Sequence, residues 1–355
     1  MNPATHLVVV CRGDGSTTVE KRPTPQPGRG EILLGLRACG LCGTDLFKLD
    51  QPSMAGQVLG HELVGEILAA GSDVDPVFSH GARIVVPHHV ACGECAQCRA
   101  GSETLCAEFR RDLLVPGGFS ERILVQRRAV EAAAHVLPVG MPDETALFLE
   151  PAACVLRGIE RSGLERYPDE GVDRAAAVLG GGSMGLLHLL VLRALLPGLA
   201  VWVSDPKPER RALARRLGAH PVAPQGLTDV APSLGAGGFD AVFDTVGGPT
   251  LLDQALSLTR EGGTVVLFAH APAGSRAAFD LNTFFKTERQ VVGTYSGSLA
   301  EQTRVWSLLS SGRLDPSPLV THRLPLTRFD EAVDLAVRQE ALKVALTPAT
   351  SALTR

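Results

Sequence analysis

Short runs in which apolar side chains alternate with polar ones, or stand together, recur through the first third of the chain. They are HLVVV from His6, EILLGLRAC from Glu31, HELVGEILAAG from His61, ARIVVP from Ala82 and RILVQ from Arg122. Each is five to eleven residues long and bounded by Gly, Pro or Asp, the pattern of short strands in a mostly antiparallel β domain. Met1 to Val10 predicts the first strand, and the Pro/Gly-rich stretch Pro23 to Gly30 predicts a connector.

Near Ala175 the pattern changes. AAAVLGGGSMGLLHLLVLRALL starts as an apolar strand, passes through glycines and continues as a helix-like apolar run. AVWVSD, FDAVFDTVG and GGTVVLFAHA predict further parallel strands, with KPERRALARRLGA and LLDQALSLTR as helices between them, so the middle of the chain predicts a doubly wound α/β nucleotide domain. The final residues return to strand and helix, ending in ALKVALTP, and are expected to rejoin the first domain. The expected organisation is 1–151, 152–298 and 299–355. No internal repeat or long low-complexity segment interrupts it.

The glycine stretch fits the dinucleotide fingerprint. Gly180 turns the chain, Gly182 lets backbone meet pyrophosphate, and Gly185 lets helix and strand pack, with Ser183 and Met184 between them at the opening of the helix. The positive end of that helix faces the phosphates. The next strand ends at Asp205, where a carboxylate accepts hydrogen bonds from the adenosine ribose and opposes a 2′-phosphate, which favours NAD over NADP. Asp205 is also a good N-cap for the helix after it, and Arg210 and Arg211 could accommodate that phosphate.

Composition adds boundaries. The 355 residues exceed what a single core usually supports, and 45% hydrophobic with 20% charged residues describes a globular protein. A net charge of −4 and a pI near 6.2 give no basic excess, so neither nucleic acid nor an anionic membrane is an expected partner. No basic opening followed by an apolar run suggests a leader, and no apolar stretch is long enough to span a bilayer. A cytoplasmic location is expected, where clustered cysteines more often hold metal than form disulfides.

The cysteines carry the chemistry. Cys92, Cys95, Cys98 and Cys106 place two residues between successive thiols and then close with a fourth, the spacing of a structural zinc site without vacancy; a disulfide pair or an iron–sulfur cluster are the alternatives. Cys42, His61 and Glu62 offer sulfur, nitrogen and oxygen donors of the kind that hold a catalytic zinc with one position open. A half-buried thiol beside a surface His-Glu pair is the plain alternative.

Together, Cys42-Gly43-Thr44-Asp45, Gly60-His61-Glu62, the four-cysteine lobe, Glu150-Pro151, the glycine fingerprint and the closing THRLPL, EAVDLA and KVAL segments resemble the zinc-dependent medium-chain dehydrogenase/reductase family from first strand to last. Glu150 and Glu62 make the chain similar to its polyol, sugar and threonine dehydrogenase branch. The resemblance implies a GroES-like catalytic domain, a Rossmann domain, a small-molecule alcohol or ketone substrate, and a homodimer or homotetramer. It assigns Cys42 and His61 as catalytic zinc ligands, with Glu62 and Glu150 ligating directly, through water or alternately. Thr44 would take the alcohol proton, and Cys154 would contact the nicotinamide or serve as a small buried filler.

One departure matters. A histidine commonly follows the ligand cysteine by five positions in this branch and ends a proton relay, but this chain has Phe47 there. His270 beside the nicotinamide and His89 beside the substrate are the imidazoles left to consider, each better suited to packing or substrate contact than to an acid–base role. Phe47, His89, Phe119 and Tyr295 are the expected pocket residues. The expected reaction is reversible oxidation of a secondary alcohol, a polyol, sugar, cyclitol or hydroxy-amino acid, by hydride transfer to NAD, zinc supplying the Lewis acidity. Two rivals are a zinc-free quinone or enoyl reductase, which would lack the ligand set, and a non-catalytic NAD-binding scaffold or redox sensor responding through Cys154 or Cys11.

Overall fold

The computed structural model describes residues 4–166 and 173–349; the expected start of the first strand at Met1–Pro3 lies outside them. The chain forms two compact units, one of residues 1–150 with 298–355 and the other of residues 151–297.

In the first unit, Thr5–Cys11 and Thr17–Pro23 pair as an antiparallel hairpin. The main sheet runs in the order Val320–Pro325, Lys343–Thr347, Ile32–Gly40, Glu62–Ala70, Arg83–Val85 and His135–Val136, with Arg122–Val125 also paired to Ile32–Gly40. The strand Ile32–Gly40 is central, and all but one of its nine residues are buried. Its apolar character on both faces explains this: Ile32, Leu33 and Leu34 have no solvent contact and no polar atom that needs it. The last strand, Lys343–Thr347, pairs antiparallel with Ile32–Gly40, with Ala345 opposite Gly40 and Leu346 opposite Cys39. Gly40 also stands opposite Glu62, so three distant stretches of sequence meet at one residue.

Gly40 is required there. A Cβ at that position would lie 2.1 Å from a Glu62 carboxylate oxygen, so any side chain would displace the carboxylate.

In the second unit six parallel strands run in the order His220–Val222, Ala200–Ser204, Ala175–Leu179, Phe239–Asp244, Thr259–Leu267 and Gln290–Gly293. Counted along the chain this is 3-2-1-4-5-6, the order of dinucleotide-binding sheets, whose strand order reverses beside the first strand. Ala175–Leu179 is wholly buried, small and apolar, which lets helices pack on both faces. The segment LLDQALSLTR splits, with the helix Pro249–Leu258 ending before Thr259 and Arg260 enter the next strand. The β-branched Thr259 ends the helix by donating its hydroxyl to Ala255 O, 2.6 Å away. No helix among the described residues is long and apolar enough to cross a membrane.

Candidate metal centres and coenzyme turn

Cys42 stands at the N-cap of the helix Gly43–Leu49 with extended backbone, and Asp45 occupies the third helical position. From there the Asp45 carboxylate accepts from Cys42 N–H at 3.1 Å and Gly60 N–H at 3.4 Å, and lies 3.3 Å from His61 Nδ1. One buried carboxylate therefore gathers the loop of Cys42 and the loop of His61. Burial pushes the Asp45 pKa up, but the His61 charge and the hydrogen bonds from His61 and Cys42 outweigh it and hold it below the usual carboxylate range. With Nδ1 engaged, Nε2 is the nitrogen left to a metal, the arrangement in which a carboxylate fixes the tautomer and orientation of a ligand histidine.

Cys42 Sγ, a His61 ring nitrogen and a Glu62 oxygen all lie within 4.8 Å of one another, so these three donors fit one ion. Glu150, in the first turn of the helix Leu149–Ser162, is not among them. Glu62 itself is held from the other side. Lys343 Nζ lies 2.8 and 2.6 Å from its two oxygens and also donates to Leu41 O at 3.3 Å, with both side chains almost fully buried. Burial alone would favour the neutral amine, but the Glu62 carboxylate, followed by Cys42, outweighs it and raises the Lys343 pKa. The ammonium is retained, and Glu62 is a paired carboxylate beside the metal donors.

A chain of imidazoles leads away from this centre. The rings of His61 and His88 lie 4.7 Å apart, His88 and His89 3.6 Å, and His89 and Phe109 5.1 Å. Burial, then the charges of His61 and Lys48, push the His89 pKa down to about 3. Its imidazole is neutral near pH 7 and offers one donor and one acceptor. Phe47 is 58% exposed and Tyr295 51% exposed, whereas Phe119 is 1% exposed and packs edge-on against Phe329. Phe119 is a core residue rather than a pocket wall because the chain beside it is closely packed: a Cβ on Gly60 would lie 2.7 Å from its backbone nitrogen.

The four-cysteine lobe folds around the short helix Ala96–Arg99, which Cys95 precedes and Cys98 joins. Sulfur–sulfur distances are 3.5 Å for Cys95–Cys98, 3.6 Å for Cys106–Cys92 and 3.9 Å for Cys92–Cys98. Four sulfurs 2.3 Å from a zinc would be separated by about 3.8 Å. All four cysteines are free thiols, and their sulfurs lie within 4.8 Å of one another. The donor set fits a single tetrahedral ion, with no room for a multi-iron cluster. The buried ring of Phe109 closes the small core of the lobe.

At the coenzyme turn, Gly180 has φ +98° and Gly182 caps the helix Ser183–Leu195. A Cβ on Gly185 would lie 1.8 Å from Gly180 O, so only glycine lets helix and strand approach this closely. Ser183 Oγ is buried without a hydrogen-bond partner among the described residues, an open polar atom in the helix's first turn that fits a phosphate oxygen. Asp205 is 2% exposed, accepting from Gly181 N–H and Lys207 N–H at 2.8 Å each, with Arg210 Nη1 3.5 Å away. The carboxylate thus bonds the coenzyme turn and the N-cap of the helix Pro208–Arg216 together. Met184 is half-buried in the same first turn, Cys154 lies half-buried on the helix Leu149–Ser162, and His270 is exposed just beyond the strand Thr259–Leu267.

Known proteins place these features. Residues 28–135 match the model of the alcohol dehydrogenase GroES-like domain and residues 184–311 that of the zinc-binding dehydrogenases. The chain is 30% identical to an L-threonine 3-dehydrogenase of Chelativorans sp. (strain BNC1), over 96% of this chain and 97% of that protein. It is 28% identical to the L-galactonate-5-dehydrogenase of Escherichia coli K12, over 97% and 99%. A crystal structure of a protein assigned as a zinc-binding dehydrogenase, from Sinorhizobium meliloti 1021 and bound to NADP, superposes with a TM-score of 0.84 at 29% identity, covering 98% of this chain and all of that one. The chain belongs to the zinc-dependent medium-chain dehydrogenase/reductase family, as its motifs suggested.

Asp45 and Lys343 were given no role from the sequence. Asp45 was within reach, since a carboxylate three residues after an N-cap can return to it; the lone lysine in the apolar run ALKVALTP was the only sign of Lys343. Asp45→Asn is expected to weaken metal binding at the Cys42 centre roughly 10–100-fold. Metal analysis after chelator dialysis should show that zinc lost while the cysteine lobe keeps its own. Lys343→Met leaves Glu62 buried without its partner and should cost about 3–5 kcal/mol, with much of the loss recovered in the Lys343→Met/Glu62→Gln double variant, as read from chemical denaturation.

Proposed function

We propose that the protein oxidises a secondary alcohol bearing further polar groups, of the polyol, sugar, cyclitol or hydroxy-amino-acid class, to the ketone with hydride transfer to NAD. The observation that carries this is the meeting of Cys42, His61 and Glu62 within 4.8 Å, with Asp45 fixing the histidine. The relatives named for L-threonine and L-galactonate support the substrate class. Bound at this centre, zinc would supply Lewis acidity toward the substrate hydroxyl.

The residues then divide the work. Cys42 and His61 hold the metal, and Glu62, restrained by Lys343, adds negative charge beside it. Glu150 is the further ligand, bound directly, through water or in exchange with Glu62. Thr44, half-buried two residues after Cys42, accepts the proton from the alcohol. Phe47 cannot carry that proton onward. His89, neutral near pH 7, is suited to hydrogen-bonding substrate hydroxyls rather than taking up a proton. Polar groups of this kind disfavour a plain alkanol, which would leave them unmatched. Gly180, Gly182, Ser183, Met184 and Gly185 cradle the coenzyme phosphates, while Cys154 and His270 serve the nicotinamide end. Asp205 opposes a 2′-phosphate and favours NAD, with Arg210 moderating its charge. The working form is a cytoplasmic homodimer or homotetramer.

A screen of polyols, sugar acids, hydroxy-amino acids and simple 2-alkanols against zinc-loaded protein, followed through reduced-coenzyme absorbance, is expected to give turnover with one of the polar classes. Cys42→Ser should lower it at least about 10³-fold while the NAD Kd stays within about twofold. Turnover surviving in that variant would remove Cys42 from the metal. Asp205→Asn retains an acceptor for the turn but removes the charge, and should reduce the NAD-over-NADP ratio of kcat/KM about tenfold, or ~1.4 kcal/mol. An unchanged ratio would leave Asp205 a purely structural link between the glycine turn and the helix entry.

A further inference from the structure

The chain beyond the cysteine lobe comes back to the metal donors. In the turn Glu108–Arg110, Phe109 places its buried ring 5.1 Å from the ring of His89, and a few residues later Leu113 N–H donates to His88 O at 2.9 Å. Between these two anchors the chain runs beside the imidazole row that begins at His61. Leu113 and Leu114 turn into the core, and Asp112 just before them stays open to solvent.

Asp112 is nevertheless not in the environment of an ordinary surface carboxylate. The surrounding protein strips enough hydration to push its pKa up to about 6, even though the hydrogen bond from Leu114 N–H at 3.0 Å and the charges of His61 and Lys48 pull it down. The charge of Asp45 adds to the rise. The charged groups it feels are those of the Cys42 centre and its helix Gly43–Leu49. A side chain that water reaches and protein still encloses lies in a recess, here beside the metal donors.

This carboxylate has no counter-ion. Asp45 meets His61 and Glu62 meets Lys343, whereas no cation among the described residues pairs with Asp112. Arg111, next to it in the chain, pairs with Glu108 at 3.3 Å instead. His89 is neutral near pH 7 and brings no charge. Leu114 N–H occupies one Asp112 oxygen, and the other has no partner among the described residues. Near pH 7 the group is mainly ionised, and a partly desolvated carboxylate gains most from a ligand that brings positive charge and N–H donors together.

We infer that Asp112 is a specificity residue that receives a substrate ammonium, so that the substrate is a secondary alcohol that also carries an amine. This rests on the alcohol-oxidising reading above and narrows it. The protonated amine donates to the unoccupied Asp112 oxygen, while His89 pairs with a hydroxyl. A plain polyol or a sugar acid offers that oxygen no positive charge. Hydroxy-amino acids and amino-substituted sugars or cyclitols do.

Binding is measured by isothermal titration into zinc-loaded protein saturated with NADH, which permits no oxidation of the added alcohol. The probes are two pairs in which a hydroxyl replaces an amine: L-threonine against 2,3-dihydroxybutanoate, and scyllo-inosamine against scyllo-inositol. In at least one pair the amine is expected to bind about tenfold more tightly than its hydroxyl counterpart. Preference in the first pair identifies a hydroxy-amino acid as the substrate, and in the second an amino-cyclitol. Asp112→Asn keeps an acceptor for Leu114 N–H and should bring the amine-to-hydroxyl ratio down to about twofold or less, with zinc content and melting temperature retained. A purely structural role would weaken both members of a pair alike and leave the ratio standing. Equal binding of amine and hydroxyl in both pairs, or an amine preference that survives in Asp112→Asn and so belongs to chelation of zinc, overturns the assignment. Amine-selective binding with no turnover on NAD would keep Asp112 in this role and count against alcohol oxidation. Turnover of the hydroxyl compounds as fast as the amines would do the reverse.

Discussion

The catalytic unit depends on charge balance in a place without water. Two carboxylates, Asp45 and Glu62, are almost fully buried within one short stretch of chain, and each is held by a donor that meets it: the His61 ring Nδ1 in one case and the Lys343 ammonium in the other. Neither pairing is a decoration on a completed core. A buried carboxylate without its partner costs several kcal/mol, a large share of the stability of an ordinary domain. The positions of Cys42, His61 and Glu62 follow from these pairings, and the metal donors are in place because the surrounding charges require that geometry.

The two proposed zinc centres illustrate different solutions to holding an ion. In the cysteine lobe four thiols meet from one continuous stretch, and little but Phe109 and the sulfurs forms its core. Such a lobe is too small to hold itself by burial, so an ion bound there would be part of its fold. At the other centre the donors come from a helix N-cap and a strand entry, beside the packed core of the main sheet. The first centre trades all openness for stability, whereas the second draws stability from the sheet and leaves Glu150 outside the tight group.

Much of this was legible in the sequence for physical reasons. Period-two runs marked the strands around Cys42 and His61, and the glycines of the coenzyme turn declared a close approach that the 1.8 Å clearance at Gly185 bears out. The family was readable because its motifs are metal donors and tight turns, which leave few alternatives. What could not be read was long-range pairing. Nothing local tells that Lys343 meets Glu62, because that contact depends on the order of strands in a sheet. Phe119 was expected in the pocket and lies in the core, since spacing along the chain does not say which face of a packed loop turns inward. Asp205 was read as a ribose ligand or an N-cap; the N-cap is Lys207 instead, and the Asp205 carboxylate accepts from Lys207 N–H and Gly181 N–H, tying the helix entry to the glycine turn.

The separation of Glu62 and Lys343 by 281 residues has a bearing on biosynthesis. At the ordinary pace of about 5–20 residues per second, a ribosome delivers the lysine roughly 14–56 seconds after the glutamate. During that interval the nascent first sheet lacks both an inner strand and the cation that neutralises Glu62. The parallel-sheet unit between them can form meanwhile, but the half that holds Cys42 and His61 must wait for Lys343 before its electrostatics close.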